Sequence, residues 1–217
     1  MDMMRGFGKD AILGAGYGMG VQRFYDNCRS NPDLRPLFDD GTYNRGFIER
    51  LIKTYRKMYY RIPAFWKEVE ALFKFVIRFP NETATYDLNG QPKLKFWNDN
   101  GTVCLQLPSG RVLYYRHAAI SRDGNIRWQW GHLWGGSITE NIIQSIGADL
   151  LRLWILDCEE LNIPVVTHCY DEIVGLVDEK YAEMKLALMD SIMCDVPDWA
   201  EGCPLASEGK ISTFYTK

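Results

Sequence analysis

Pro164-Val165-Val166-Thr167-His168-Cys169-Tyr170-Asp171-Glu172-Ile173-Val174-Gly175-Leu176-Val177 is the stretch on which the reading of this chain turns. Two short apolar runs of β type flank a polar centre, which predicts a hairpin with Asp171 and Glu172 at its tip. The flanking runs favour burial, whereas two adjacent carboxylates repel each other. A divalent cation such as Mg2+ compensates such a pair, because it takes oxygen ligands from one or two carboxylates together with substrate phosphates. The other reading of the segment alone is an acidic turn held in solvent.

Working outward, the opposite end of the chain carries Arg5-Gly6-Phe7-Gly8-Lys9, followed by Ile12-Leu13-Gly14-Ala15-Gly16-Tyr17-Gly18-Met19-Gly20. Arg5 and Lys9 stand four apart, on one face of a predicted helix. A like-charge pair at that spacing costs roughly 0.2–0.5 kcal/mol, and each interior glycine about 0.8–1.0 kcal/mol relative to alanine. A helix with these penalties has a use besides packing if its two cations grip a polyanion, Arg as a fork and Lys as a point charge; a solvated basic face is the alternative. The glycines from Gly14 to Gly20 are expected to end the helix, and they are no dinucleotide fingerprint, since no strand precedes them.

Together these segments resemble the family A DNA polymerases, the group of bacterial DNA polymerase I and many phage replicative polymerases. That family's second motif reads Arg, three residues, Lys, seven residues, Tyr-Gly; Arg5, Lys9, Tyr17 and Gly18 match its spacing. Its third motif is a hairpin ending in His-Asp-Glu, matched by Tyr170-Asp171-Glu172 with Tyr in place of His and His168 two residues earlier. Between them, Gln144-Ser145-Ile146-Gly147-Ala148-Asp149-Leu150 is similar to the family's Gln-bearing helix, and Leu107-Pro108-Ser109-Gly110-Arg111 with Tyr114-Tyr115 is similar to a segment common in phage members.

The resemblance implies nucleotidyl transfer from a dNTP to a primer 3′-hydroxyl on primer-template DNA. It implies a catalytic set of Asp171, Glu172 and Lys9, with Asp171 as the metal-bridging carboxylate for Mg2+, two ions in all. Arg5, Lys9, Leu13 and Tyr17 would bind the dNTP, with Leu13 against the sugar and Tyr17 near the templating base. Gln144, Tyr170, Gly18 and Arg111 would contact DNA, Gln144 through minor-groove acceptors. The fold implied is α+β: fingers helices over residues 1–80, then a palm over 81–217 with a small antiparallel sheet backed by helices. The family's first motif, Asp-Tyr-Ser-x-Ile-Glu, is not in this sequence. The chain therefore reads as the C-terminal portion of such a polymerase, with the second carboxylate supplied by an N-terminal polymerase fragment outside it. The alternative is a non-catalytic DNA-binding or assembly fragment of a split or truncated polymerase.

Composition agrees with a packed protein: 47% hydrophobic and 13% aromatic residues supply a core. No run reaches the ~18 apolar residues of a membrane span, and the start is unlike a secretory signal, so a cytoplasmic location and no membrane partner are expected. The six cysteines form no CxxC pair and read as reduced thiols. Net charge is −3, yet residues 1–80 carry 14 Lys and Arg against 9 Asp and Glu, while residues 139–209 carry 3 against 15. That asymmetry suits a first part that meets phosphates and a last part that holds metal or faces solvent. Helices are predicted over 3–13, 21–28, 46–75 with a break at Ile62-Pro63, 137–161 and 180–194. Hairpins are predicted between 81 and 129 at Asn89-Gly90, Asn100-Gly101, Ser109-Gly110 and Asp123-Gly124. Ser137-Ile138-Thr139-Glu140 reads as a capping box, and Ile142, Ile146, Leu150, Leu153 and Leu156 or Asp157 fall near one stripe of the helix it opens. The basic residues Arg45, Arg50, Lys53, Arg56, Lys57 and Arg61 read either as a nucleic-acid track or as a solvated face.

Overall fold

A computed structural model describes residues 2–215. The architecture is α+β, with helices first, then short antiparallel strands, then a helix, a hairpin and a last helix. The chain divides into two compact units: Met1–Leu105 with Tyr114–Asn141, and Gln106–Leu113 with Ile142–Lys217.

In the first unit, α1 (Asp2–Gly16), α2 (Val21–Ser30), α3 (Arg35–Asp39) and α4 (Arg45–Met58) enclose one apolar cluster. α1 contributes Phe7 and Ala11 to it, four apart on one stripe. Phe7 packs against Phe24, Tyr43 and Phe47 at ring separations of 5.8, 6.0 and 6.2 Å. The helix runs to Gly16, three residues past the predicted end at Leu13, and stops within the glycine run, as expected. The Gly18 N–H donates to the Ala15 carbonyl (3.2 Å) and the Met19 N–H to the Gly14 carbonyl (2.8 Å), the paired bonds of a Schellman stop. Gly18 is fixed there twice over. Its φ is +83°, and a Cβ would lie 2.0 Å from Cη2 of Trp134.

α4 gives way to α5 (Arg61–Arg78) at Tyr59 and Tyr60, not at Ile62-Pro63. Pro63 sits in the first turn of α5, where a helix has no use for an N–H. α5 presents Val69, Phe73 and Val76, all fully buried, beside the sheet β1 (Ala84–Leu88), β2 (Gln91–Asp99), β3 (Thr102–Gln106), β4 (Val112–Tyr115), which runs in that order. Asn89-Gly90 and Asn100-Gly101 turn with positive φ at both residues, as two-residue type I′ hairpins need. A second sheet follows: β5 (Ala119–Ile120), β6 (Ile126–Trp128) and β7 (Gly131–Leu133).

The long helix α6 (Gly135–Glu160) starts two residues before the expected capping box. Ser137 Oγ bonds back to both the N–H and the carbonyl of Trp134 and caps nothing ahead of it. The acceptor at the helix start comes instead from α5: Glu70 Oε2 takes the Gly135 N–H at 2.8 Å, while Oε1 holds Lys74 at 2.6 Å. Burial alone would push the Glu70 carboxyl up, but the Lys74 and Gly135 hydrogen bonds outweigh it and hold it below the usual range. No local spacing announces a cap that arrives from 65 residues away. Gly135 itself is pressed onto α5, where a Cβ would stand 1.9 Å from the Trp66 carbonyl oxygen.

In the second unit, α6 continues and the hairpin β8 (Val165–Cys169), β9 (Glu172–Gly175) precedes α7 (Ala182–Cys194). Cys158, Ile163 and Ile192 form the buried centre, with Trp154, Val165, Leu188 and Met189 packed around it. The buried side of α6 differs from the expected stripe. Ile142, Leu150, Leu151 and Cys158 are buried, whereas Leu153 and Leu156 are exposed. Past Ala200 the described tail has no helix or strand; the chain's last two residues lie outside the described range. No helix of the described residues is long and apolar enough to cross a membrane.

Candidate functional site

The predicted residues fall on α1, the β3–β4 turn, α6 and the β8–β9 hairpin. Arg5, Lys9, Leu13, Tyr17 and Gly18 belong to α1 and its stop in the first unit; Arg111, Gln144, Tyr170, Asp171 and Glu172 belong to the second.

On α1, burial of Phe7, Ala11 and Ala15 turns the opposite side outward, and Arg5, Lys9 and Leu13 follow one another along it at four-residue spacing. All three are exposed, Leu13 by 50%. Neither cation has a hydrogen bond or ion pair among the described residues. Gly6 and Gly8 would meet nothing within 4 Å if they carried a Cβ, so packing does not account for the helix propensity lost there. Tyr17 is half-buried and closes the last turn, its N–H on the Leu13 carbonyl at 3.2 Å. Beside Leu13 lies a cavity of about 310 Å³ that also touches Asp10, Met19 and Cys28. Burial, and then the charge of Asp10, push the Cys28 thiol up to about 11, so it is no nucleophile at neutral pH.

Sequence reasoning missed the residue that anchors the stop of α1. Arg56 reaches from α4 and donates to the Met19 carbonyl at 3.2 Å, with its guanidinium 5.9 Å from the Trp66 ring. It is thus an internal brace, not part of a nucleic-acid track or a solvated face. Lys53 of the same series pairs with Glu49 at 2.7 Å.

In the second unit, the hairpin carries Asp171 at its tip. Cys169 pairs with Glu172, so Tyr170 and Asp171 are the two turn residues. Tyr170 takes φ +55°, a position that glycine usually fills and a bulky side chain enters under strain. It is 85% exposed, so no packing repays that strain. Backbone strain of this kind collects at functional sites. We expect Tyr170→Gly to stabilise the second unit by about 0.5–1 kcal/mol, the left-handed penalty less the extra chain entropy of glycine. A denaturation midpoint at or below that of the parent protein would show that the turn stores no strain.

Asp171 is exposed and has no hydrogen bond or ion pair among the described residues. Glu172 is half-buried and accepts a hydrogen bond from the Tyr215 hydroxyl at 3.0 Å. The two neighbours therefore differ: one carboxylate is open to a ligand, the other is tied to the tail. Among the described residues no three His, Cys, Asp or Glu gather as a ready-made metal cage. The donor set fits magnesium held by one or two carboxylates plus substrate oxygens, and does not fit an all-protein cage.

Gln144 is exposed on α6, off the buried side. Five residues further, Asp149 is 6% exposed and is met by three groups. The Ser109 hydroxyl donates at 2.5 Å, Arg111 Nε lies at 2.7 Å and Arg152 Nη1 at 3.6 Å. The Arg111 contact is a close ion pair whose N–H is not aimed along a hydrogen-bond line, and Arg111 Nη2 donates to the Ser145 carbonyl. The two segments singled out separately, 107–111 and 144–150, are thus one cluster. Within it Arg111 fixes the helical turn that carries Gln144.

No family model matches this chain. It is 30% identical over 199 residues to a DNA polymerase of Bacillus phage SP02, an alignment covering 83% of this chain and 30% of that protein. The chain thus spans less than a third of the relative it resembles.

Proposed function

We propose that this chain is the C-terminal portion of a family A DNA polymerase, extending a primer on template DNA with dNTPs. In this reading residues 1–80 act as fingers and residues 81–217 as palm. The division is one of role, since the strands from Ala84 pack with the helices before them. Asp171 is the carboxylate that takes the metal, and Glu172 stands beside it. Arg5 and Lys9 hold the triphosphate, Leu13 lies against the sugar and Tyr17 near the templating base. Gln144 reads the minor groove on a turn steadied by Arg111, Gly18 brings the backbone close to DNA, and the Tyr170 phenol donates to the primer end. Bound magnesium, two ions in all, would supply charge against the developing oxyanions of the transferred phosphate. The second carboxylate comes from a polymerase segment outside residues 1–217. The observation that carries the reading is the exposed, unpaired carboxylate of Asp171 on a strained turn, in a chain similar to a phage DNA polymerase.

The test is primer extension by a polypeptide assembly that contains these residues together with the missing aspartate motif. Lys9→Ala should lower kcat/KM for dNTP by about 10- to 150-fold, since a charge-assisted hydrogen bond to phosphate is worth about 1.5–3 kcal/mol. An unchanged kcat/KM would remove Lys9 from the triphosphate site.

A further inference from the structure

We propose that the outward face of the β5–β6–β7 sheet is a contact surface for single-stranded nucleic acid, built from residues to which nothing above gives a role. Across this small sheet Ile120, Ile126 and Leu133 stand in register, as do Ala119, Arg127 and His132. Ile126 and Leu133 are buried and Arg127 and His132 are exposed, so the sheet has an apolar inner face and a basic outer one. Its margins extend the pattern. Arg122 stands in the β5–β6 turn, His117 just before β5, and both are exposed. The β6–β7 turn is Gln129-Trp130, and Trp130 is 74% exposed.

Two features set this patch apart from an ordinary solvated surface. First, its basic groups are unpaired. Arg122, Arg127, His117 and His132 have no hydrogen bond or ion pair among the described side chains. The nearby carboxylate, Asp123, is bonded to Ser121 and to Asn125 (2.6 Å) within its own turn. This is an arginine-bearing surface on a chain of net charge −3. Secondly, Trp130 forgoes burial. A tryptophan side chain has about 200 Å² to remove from water, yet Trp130 meets the Trp128 ring edge-on at 6.5 Å and stays 74% exposed. A tight turn has no need of tryptophan.

Cations beside an open aromatic ring are the two components of single-strand binding. The cations follow the phosphates, and bases stack on the ring without regard to sequence. A duplex keeps its base faces inside the stack, so Trp130 selects an unpaired strand. The surface does not depend on the polymerase reading, because it needs neither a metal nor a nucleotide.

The test is fluorescence anisotropy of a labelled oligothymidylate of about 15 nucleotides, long enough for one such surface, with the full chain in EDTA at low salt. Trp130→Ala should weaken binding about tenfold, as the loss of one stacked base predicts, while Trp130→Phe keeps most of the affinity. The double substitution Arg122→Glu/Arg127→Glu should weaken binding at least as much and flatten its salt dependence. All these positions are exposed, and a melting curve verifies that each variant folds. Should a variant not fold, quenching of tryptophan fluorescence by the oligonucleotide in the parent chain, lost in Trp130→Phe, serves instead. Absence of binding by the parent chain overturns the proposal. So does affinity within twofold of the parent for Trp130→Ala and for the arginine pair, or equal competition by a blunt duplex. Because EDTA is present, failure here leaves the Asp171 assignment standing, and failure of primer extension leaves this surface standing.

Discussion

Asp171→Ala should reduce primer extension at least about a thousandfold in kcat, equivalent to roughly 4 kcal/mol of transition-state stabilisation. The assay needs the assembly that contains the second aspartate. The magnitude follows from the site's economy of ligands: at the hairpin tip Asp171 is exposed and has no partner among the described residues, while its neighbour Glu172 already accepts the Tyr215 hydroxyl. Asp171→Asn keeps the shape and removes the charge, and should be nearly as inactive. Glu172→Ala should cost far less, and part of its effect should be reproduced by Tyr215→Phe, since both break the same hydrogen bond. Retention of more than a tenth of the parent rate by Asp171→Ala removes the catalytic assignment. Equal losses at Asp171 and Glu172 would show that the open and tied carboxylates do not differ in role.

Gly135→Ala should be the most damaging single methyl in the first unit. The added carbon would meet the Trp66 carbonyl oxygen at 1.9 Å, its carbon at 2.5 Å and its Cα at 3.0 Å. All three are backbone atoms of α5, so no rotamer change relieves the overlap. The start of α6 has to withdraw from α5, and the Glu70–Gly135 hydrogen bond stretches as it does. Overpacking costs about 1–3 kcal/mol, and a lost bond to a charged acceptor about another 1.5–3 kcal/mol. The expected sum, about 2.5–6 kcal/mol, is a large share of the roughly 5–15 kcal/mol that holds a typical domain together. Thermal melting should show a fall of about 10 °C. Gly147→Ala is the control, because nothing lies within 4 Å of its Cβ position; on the same helix it should be neutral or slightly stabilising. Similar midpoints for the two variants would mean that the contact at Trp66 is not tight.

What the sequence disclosed was what local chemistry encodes. The Asn-Gly turns, the acidic hairpin and the exposed side of α1 all depend on residues within a few positions of one another, and each stands where its pattern put it. The errors share a cause, which is a partner remote in sequence. Ser137 has the spacing of a cap, yet Glu70 took the role. Arg56 belongs to a basic series by composition, yet the Met19 carbonyl and Trp66 claim it. Leu153 and Leu156 fit an apolar stripe, yet α6 turns Leu151 and Cys158 inward instead. For the site, residue types and spacing named Asp171 and Lys9. That Asp171 is open while Glu172 is engaged depends on a tyrosine 43 positions later, and no spacing rule reaches so far.

The hairpin tip Gln106–Leu113 has a consequence for how this protein can be taken apart and recombined. It is threaded through the middle of the first unit's sequence but groups with the second, where Arg111 pairs with the buried Asp149 and the Ser109 hydroxyl donates to it. Neither unit is therefore a continuous cassette. A gene fragment that begins after Asn141 keeps Arg152, 3.6 Å from Asp149, but loses the closer cation Arg111 and the Ser109 hydroxyl that bonds the same carboxylate. Exchange between relatives, in nature or by design, must move both halves of the chain or neither.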